Sequence, residues 1–207
     1  MSCIFELCKM EQDVLTVLLE KLEQITILPQ NEIEASCVGL PVRVLKSGDY
    51  LIREGDTSSS VYFVYAGLLR AYLTANEKEA NSEFFLEGGF AGTLTAFSLK
   101  QVTMLNIQAL EDSLLVEFQV EWLEYHYKKN PSWLALGKYI FETAFIKKCQ
   151  RESSFLSHSA KQRYFFFIEQ YPRIEKRVSL HHIASYLGIR PESLSRIRSG
   201  KFVKNLI

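Results

Sequence analysis

The chain has few cysteines, and no two of them have the spacing of a metal or redox motif. Its 207 residues include Cys3, Cys8, Cys37 and Cys149, and no C-x-x-C pair occurs. The N-terminal residues also contain no apolar segment of the kind found in secretory signals. This pattern argues against a disulfide framework, and we expect reduced thiols in a cytoplasmic protein.

Long apolar runs are also missing, because no stretch approaches the roughly 18 residues that a membrane-spanning helix needs. With 47% hydrophobic and 23% charged residues, the composition is typical of a folded, soluble protein with no membrane contact. The sequence contains no P-loop, no Rossmann glycine motif, no zinc-protease motif and no G-x-S-x-G nucleophile motif. We therefore predict that the protein is not an enzyme.

The chain as a whole has no net charge, but its N-terminal and C-terminal parts carry opposite net charges. Although 24 basic residues balance 24 acidic ones, residues 1–157 contain 14 Lys and Arg against 21 Asp and Glu. Residues 158–207 contain 10 basic residues against 3 acidic ones. A basic terminal segment on an acidic body is typical of a polyanion-binding module attached to a domain with another task.

The basic segment contains a pattern of two short helices joined by a tight turn, from Val178 to Gly200. Ser179 is placed to cap the first helix, Gly188 to end it in a left-handed conformation, and Pro191 to open the second. This pattern predicts a helix-turn-helix; the alternative is an ordinary helical hairpin with a solvated basic face. The outward side of the second helix carries basic and polar side chains: Arg190, Glu192, Ser193, Ser195, Arg196 and Arg198.

Upstream of this segment, the sequence changes from helical to β-rich and back to helical. Residues 10–25 have the periodicity of an amphipathic helix. Short β-rich runs separated by turn signals follow, and they predict an antiparallel sandwich or jelly roll. These runs are 37–45, 50–53, 60–65, 68–73, 80–86, 104–109 and 113–118. A second helical region begins at Glu121, so the fold class is α+β.

Asn130 as N-cap and Pro131 as first helical residue predict the start of a long helix with two apolar stripes. One stripe consists of Trp133, Gly137, Ile140 and Ala144, and the other of Leu134, Phe141, Phe145 and Cys149. A helix that is apolar on two sides must be covered on both. We expect one side to pack on the β domain and the other on a second copy of the helix. Alternatively, both stripes face one core within the chain.

Several groups of residues form a recognisable combination: Lys46–Asp49 and Arg53–Asp56 at turns, the runs Tyr62–Gly67 and Asn106–Asp112, and Leu187–Arg198 in the helix-turn-helix. With these residues the chain resembles the Crp/Fnr superfamily of bacterial transcription regulators, and the likeness is greatest to the Bacteroidetes type. The resemblance covers nearly the whole chain. It implies a cyclic-nucleotide-binding-like β-roll with an N-terminal helix (1–125), a dimerisation helix and hinge (126–156) and a DNA-binding domain (157–207).

The resemblance also implies partners and an effector. We expect a homodimer on a palindromic double-stranded DNA operator, RNA polymerase as a partner, and a small-molecule effector of unknown identity. Relatives that bind cyclic AMP carry a Gly-Glu pair, which binds the ribose, and an Arg-Ser pair, which neutralises the cyclic phosphate. The aligned pairs are Gly92-Thr93 and Thr103-Met104, so both charged anchors are missing. A buried anion without a cationic partner pays a large desolvation cost, so we predict no high-affinity cyclic AMP binding and no other cofactor.

The segment around these pairs is strongly apolar. It favours a hydrophobic effector or, as the alternative, a core filled by its own side chains. The effector-pocket candidates are Phe85, Phe90, Gly92, Thr93, Leu94, Thr103 and Met104.

The matching positions of the recognition helix imply roles in reading DNA. Glu192 is expected to accept from a cytosine amino group, and Arg196 to bind guanine O6 and N7. Phosphate contacts are expected from Ser193 and Ser195, a phosphate or base contact from Arg190, and salt-sensitive, sequence-independent affinity from Arg198, Lys201 and Lys204.

A β-roll that binds a small ligand and dimerises, with a degenerate DNA-binding domain, is the alternative function. The basic balance of residues 158–207 argues against it. The cysteine spacing does not match that of the iron–sulfur relatives, so no metal role is predicted. His126 is predicted to be an ordinary helix residue.

Overall fold

The structure, a computed structural model, describes residues 2–75 and 78–200, with side chains from Asp13 onward. The strands are β1 (Val42–Leu45), β2 (Tyr50–Ile52), β3 (Ser60–Ala66), β4 (Leu69–Ala75), β5 (Lys78–Phe85), β6 (Phe90–Ala91), β7 (Asn106–Ala109) and β8 (Ser113–Gln119). The helices are α1 (Ser2–Ile25), α2 (Gln30–Cys37), α3 (Leu94–Leu99), α4 (Val120–Lys129), α5 (Leu134–Ser157), α6 (Ala160–Gln170), α7 (Leu180–Leu187) and α8 (Pro191–Arg198). The predicted α+β class is confirmed.

The strands form two sheets, in the orders β1-β8-β3-β6 and β2-β7-β4-β5. In the first sheet, β8 pairs antiparallel with both β1 and β3, and β3 pairs antiparallel with β6. In the second sheet, β2 pairs antiparallel with β7. This arrangement confirms the predicted β-roll.

The chain divides into two compact units. The first consists of the chain up to Arg70 and of Phe84–Thr143. The second consists of Ala71–Glu83, which is the outer part of the β4–β5 hairpin, and of the described chain from Ala144 onward. The hairpin and α5 therefore each contribute to both units.

The core of the first unit lies between helices and the β1-β8-β3-β6 sheet. Leu18 and Leu22 of α1 are buried at helical spacing, together with Phe63 of β3 and Phe118 of β8. Trp133 is fully buried in the same cluster. The helical spacing of the apolar residues in α1 is explained by this packing, because one face of the helix covers the sheet.

A buried carboxylate ties three strands of this sheet together. Glu117 on β8 accepts hydrogen bonds from Arg43 Nε at 2.7 Å, from Ser60 Oγ at 2.8 Å and from Tyr62 Oη at 3.4 Å. Burial by itself raises the pKa of Glu117, but the hydrogen bonds from these three groups and the charge of Arg43 outweigh it. The net pKa lies below its ordinary value, so Glu117 is ionised in the folded protein.

The structure corrects one strand and adds three elements that the sequence patterns did not predict. The strand expected over 37–45 begins only at Val42, and Cys37 is instead the buried last residue of α2. Helix α2, strand β6 and helix α3 are the additional elements. Each is short, with two to eight residues, so none is long enough to show a clear apolar period.

Candidate nucleic-acid interface and ligand cassette

The two helices of the basic segment form the predicted helix-turn-helix. Ser179 Oγ accepts a hydrogen bond from the His182 backbone N–H at 3.3 Å and caps α7. Gly188 ends α7 with a φ of +65°, a left-handed conformation that glycine adopts without strain. Ile183 and Ala184 are completely buried, so this face of α7 packs against the rest of the domain.

Helix α8 presents a polar outer face. Pro191 occupies its first position, as predicted, while Leu194 and Ile197 form its buried side. The backbone of Arg190 is extended and its side chain makes no cap hydrogen bond, so this arginine does not stabilise the helix start. The outward residues of this face, exposed except for the half-buried Ser193, are Arg190, Glu192, Ser193, Ser195 and Arg196. The structure therefore brings these five predicted residues together.

Arg198 differs from the other arginines of this surface. Its Nε lies 2.8 Å from Oε1 of Glu175, and the Tyr164 hydroxyl donates to the same oxygen at 2.8 Å. Lys201 and Lys204, also predicted to contact DNA, lie outside the described residues.

The β4–β5 hairpin contacts the first helix of the helix-turn-helix. The Ser185 hydroxyl donates to the Glu79 carbonyl oxygen at 2.7 Å and accepts from the Asn81 backbone N–H at 3.0 Å. The Asn81 side chain donates to the His182 carbonyl oxygen at 3.2 Å. Sequence reasoning missed these residues, because a polar residue in a strand carries no signal for a partner that lies 104 positions away.

The end of α5 also contacts this domain. Arg151 Nη2 donates to the carbonyl oxygens of Asn81 and Tyr186, at 3.3 and 3.1 Å. Arg163 of α6 donates from Nε to the Leu187 carbonyl oxygen at 3.2 Å. These two guanidinium groups satisfy carbonyl oxygens at the C-terminal end of α7, where a helix leaves them without partners.

The start of α5 agrees with its predicted cap, since Asn130 Oδ1 accepts from the Ser132 backbone N–H at 3.0 Å. A 3-10 turn over Pro131–Trp133 then leads into the helix. The two predicted stripes have different environments. In the first stripe, Trp133 and Ile140 are buried and Gly137 and Ala144 are half-buried. In the second stripe, every residue is exposed: Leu134 (53%), Phe141 (43%), Phe145 (69%) and Cys149.

The predicted ligand cassette lies in the first unit, on β5, β6 and the α3 region. Phe90 packs its ring against those of Phe63, Phe118 and Tyr139, with centroids 5.5 to 6.2 Å apart. Leu94 also packs against the core, and Phe85 is buried. Gly92 is half-buried. Several candidates therefore contribute to the packed interior of the roll.

Three further cassette residues differ in their surroundings. Thr93 is buried, and its hydroxyl has no hydrogen-bond partner among the described residues. Thr103 is also buried, and its Oγ1 accepts from the Leu105 backbone N–H at 2.9 Å. Met104 is 71% exposed and does not join the apolar cluster. These two threonines are the residues that the sequence resemblance aligns with the charged anchors of cyclic AMP binders, and a threonine side chain carries no charge.

Other features that could bear on function in the described part of the chain are reactive cysteines, histidine ligands, metal-binding clusters and membrane-spanning helices. Burial raises the pKa of the Cys37 thiol to about 12, so this cysteine stays protonated and unreactive. His126 is buried, stacks on Trp122 and bonds through Nδ1 to the Trp122 carbonyl oxygen. Among the described residues, no group of three or more His, Cys, Asp or Glu is arranged to hold a metal ion. No helix within the described ranges has the length and apolarity to span a membrane.

The sequence of the β-roll matches a known family. Residues 42–129, from the first residue of β1 to the last residue of α4, match the cyclic nucleotide-binding domain family. All seven cassette candidates lie within the matched residues, whereas the helix-turn-helix lies outside them. No curated protein matches the chain in sequence.

The similarity to solved structures covers more of the chain than residues 42–129. FixK2 from Bradyrhizobium japonicum is 17% identical with a TM-score of 0.70, over 79% of this chain and 84% of that chain. The c-di-GMP responsive global regulator CLP from Xanthomonas campestris is 16% identical with a TM-score of 0.67, over 84% and 91%. A protein from Eubacterium rectale, described as a transcriptional regulator of the Crp/Fnr family, is 18% identical with a TM-score of 0.62, over 86% of each chain. The chain thus shares the fold of these proteins over 79% to 86% of its length.

Proposed function

We propose that the protein is a homodimeric, DNA-binding transcription regulator of the Crp/Fnr type. The observation that carries this proposal is the outer face of α8, where Arg190 and Arg196 are exposed and form no ion pair with any described residue. A short helix that carries exposed guanidinium and hydroxyl groups on one side and packs its other side against a partner helix has the form of a major-groove reader. The basic balance of residues 158–207 adds attraction to a polyanion.

Base reading is assigned to two side chains of this face. Arg196 is exposed on the outer face of α8 and suits bidentate bonding to guanine O6 and N7. Glu192, in the first turn, suits a cytosine amino group. Phosphate contacts fall to the hydroxyl groups of Ser193 and Ser195 and to Arg190, which fix the position of the helix without reading sequence.

Dimerisation is assigned to the exposed stripe of α5. Leu134, Phe141 and Phe145 are large apolar side chains on one side of a helix, and exposure of several together on a soluble domain marks an interaction surface. A second copy of α5 is the simplest partner, because a contact about a two-fold axis buries the exposed stripe of each copy against that of the other. The dimer would place two copies of α8 roughly 10 bp apart on a palindromic operator.

The sensor role is assigned to the cyclic nucleotide-binding domain with an effector other than cyclic AMP. The positions of both charged anchors hold threonine, and a cyclic phosphate placed there would lose its hydration without gaining a cation. The uncharged, largely apolar cassette suits an apolar effector, and RNA polymerase is the partner through which a regulator of this type would act. The proposed parts remain 1–125 for the sensor, 126–156 for the dimer helix and 157–207 for DNA binding.

A selection from randomised duplex DNA at physiological salt tests the proposal. We expect enrichment of a two-fold symmetric motif, with a guanine and a cytosine at the positions read by Arg196 and Glu192. Repeating the selection with Glu192→Gln should change the preference at the cytosine position and leave the guanine position intact. Retention of duplexes without an enriched motif would contradict specific regulation. A protein that retained no DNA would instead agree with a sensor module whose DNA-binding domain is degenerate.

A further inference from the structure

Of the three arginines at α8, Arg198 has a carboxylate partner, whereas the other two have none among the described residues. Arg198 Nε lies 2.8 Å from Glu175 Oε1, and the two side chains are only 39% and 25% exposed. Arg190 and Arg196 form no ion pair with any residue in the described ranges. A charge-assisted hydrogen bond at this distance, partly shielded from water, is stronger than a fully solvated surface pair.

The carboxylate of Glu175 is itself held in place. It belongs to a 3-10 turn over Ile174–Lys176, which the completely buried Ile174 anchors to the domain. The hydroxyl of Tyr164, on α6, donates to the same Oε1 at 2.8 Å. Burial and then the carboxylate raise the pKa of Tyr164, so the phenol keeps its proton and remains a donor. Glu175 is therefore positioned before Arg198 contacts it.

An arginine near DNA adds affinity by neutralising a phosphate, and this affinity carries no sequence information. An arginine already neutralised by a fixed carboxylate must first give up that bond. The same carboxylate repels the phosphate backbone. A paired arginine at the end of α8 therefore contributes less to sequence-independent binding than a free one would.

We infer that Glu175 neutralises Arg198 and so limits sequence-independent DNA affinity, leaving discrimination between sites to Arg196 and Glu192. This role rests on the proposed DNA binding, and it makes Glu175 a specificity-determining residue that itself reads no base. It also revises the sequence-based expectation that Arg198 contacts phosphate.

The salt dependence of binding to a duplex without the selected motif provides the test. Four full-length proteins are compared: wild type, Arg198→Gln, Glu175→Gln and the double variant. Arg198→Gln alone should leave the slope of log K against log salt unchanged. Glu175→Gln should free Arg198 and steepen the slope by about 0.9 per subunit, with tighter binding to the duplex. The double variant should return to the wild-type slope.

Glu169→Gln is the matched control, because Glu169 is an exposed α6 carboxylate with no ion pair in the described chain. It changes the net charge as Glu175→Gln does but frees no arginine, so adding Arg198→Gln to it should have no effect. Circular dichroism and thermal unfolding of each variant establish that it is folded.

Two results would overturn the inference while leaving the proposed function intact. The first is a shallower slope for Arg198→Gln in the wild-type background, since Arg198 would then contact phosphate despite Glu175. The second is a steeper slope for Glu175→Gln that persists in the double variant, since the effect would then come from net charge alone. If wild-type protein bound neither this duplex nor the selected motif, the proposed function itself would fail, and with it the inference.

Discussion

A Cβ atom added to Gly188 would lie 2.7 Å from Cε1 of Phe155, so the turn of the helix-turn-helix packs against the end of α5 with no room for a side chain. The guanidinium groups of Arg151 and Arg163 lie 4.7 and 4.8 Å from the centroid of the Phe155 ring. These contacts hold the ring in place. The turn glycine therefore meets two requirements, a left-handed backbone and a close approach.

Gly188→Ala tests both requirements. A non-glycine residue in the left-handed region costs about 1 to 2 kcal/mol, and the contact with Phe155 adds about 1 to 3 kcal/mol of overpacking. Gly200→Ala is the control, because Gly200 has a similar φ of +69° and no atom of the described residues lies within 4 Å of its added Cβ. Denaturant unfolding should show a clearly larger loss for Gly188→Ala. Equal losses would mean that Phe155 moves aside without cost.

Phe145→Glu should convert the proposed dimer to a monomer. Phe145 is 69% exposed in one chain, and covering such a side chain in a dimer contributes about 1.5 to 3 kcal/mol per subunit, which a carboxylate removes. Sedimentation velocity gives the oligomeric state. Gln150→Glu, at an exposed polar position of the same helix, adds the same charge and should leave the dimer intact. A dimeric Phe145→Glu protein would show that the stripe has another partner.

Arg196→Ala should weaken operator binding by about 1 to 3 kcal/mol and relax the preference at one base pair. Lys204→Ala, at a residue predicted from sequence to contact phosphate, should weaken binding to all duplexes alike. Competition binding against a library of single-base variants separates the two effects. Uniform losses in both variants would show that Arg196 contacts the backbone and reads no base.

Cyclic AMP should not bind with micromolar affinity. Neither Thr93 nor Thr103 replaces the missing charges, and Thr103 Oγ1 is occupied by the Leu105 backbone N–H. Isothermal titration calorimetry of the full-length protein should show no saturable heat. A saturable micromolar isotherm would place the anionic ligand on groups outside this cassette.

Glu117→Gln should destabilise the β-roll in a pH-dependent manner. The folded-state pKa of Glu117 lies below the ordinary value of 4.5, so its contribution is complete above that value and is lost as pH falls through the folded-state pKa. Near neutral pH the variant should lose about 1 to 3 kcal/mol in the free energy of unfolding. The difference from wild type should shrink below about pH 4. A difference that stays constant with pH would assign the effect to packing.

Local signals in the sequence predicted the parts of the fold that depend on neighbouring residues. Asn130 and Ser179 were identified as caps because the groups they bond lie two and three residues away. The turn at Gly188 and the start of α8 at Pro191 follow from backbone preferences of single residues. The strands of the roll were recognised from their β-rich runs between turn residues.

Contacts between distant segments were not predictable in this way. Nothing near Arg198 indicates that Glu175 neutralises it, and nothing near Asn81 indicates a partner on α7. The two stripes of α5 were visible from spacing, but which one the chain itself covers depends on the fold of the first unit. Cys37 was assigned to a strand as part of the β-rich run 37–45, whereas it is the buried last residue of α2.

The hairpin contacts have a consequence for the modularity of this protein. The helical part of the second unit is completed by residues 71–83, which belong to β4 and β5 at one edge of the second sheet. A graft of residues 157–207 onto another sensor would leave the Ser185 hydroxyl and the carbonyl oxygen of His182 without their hairpin partners. The unit that could be grafted intact is therefore discontinuous in the chain, and a change at Ser185 would have to be matched by a change at Asn81.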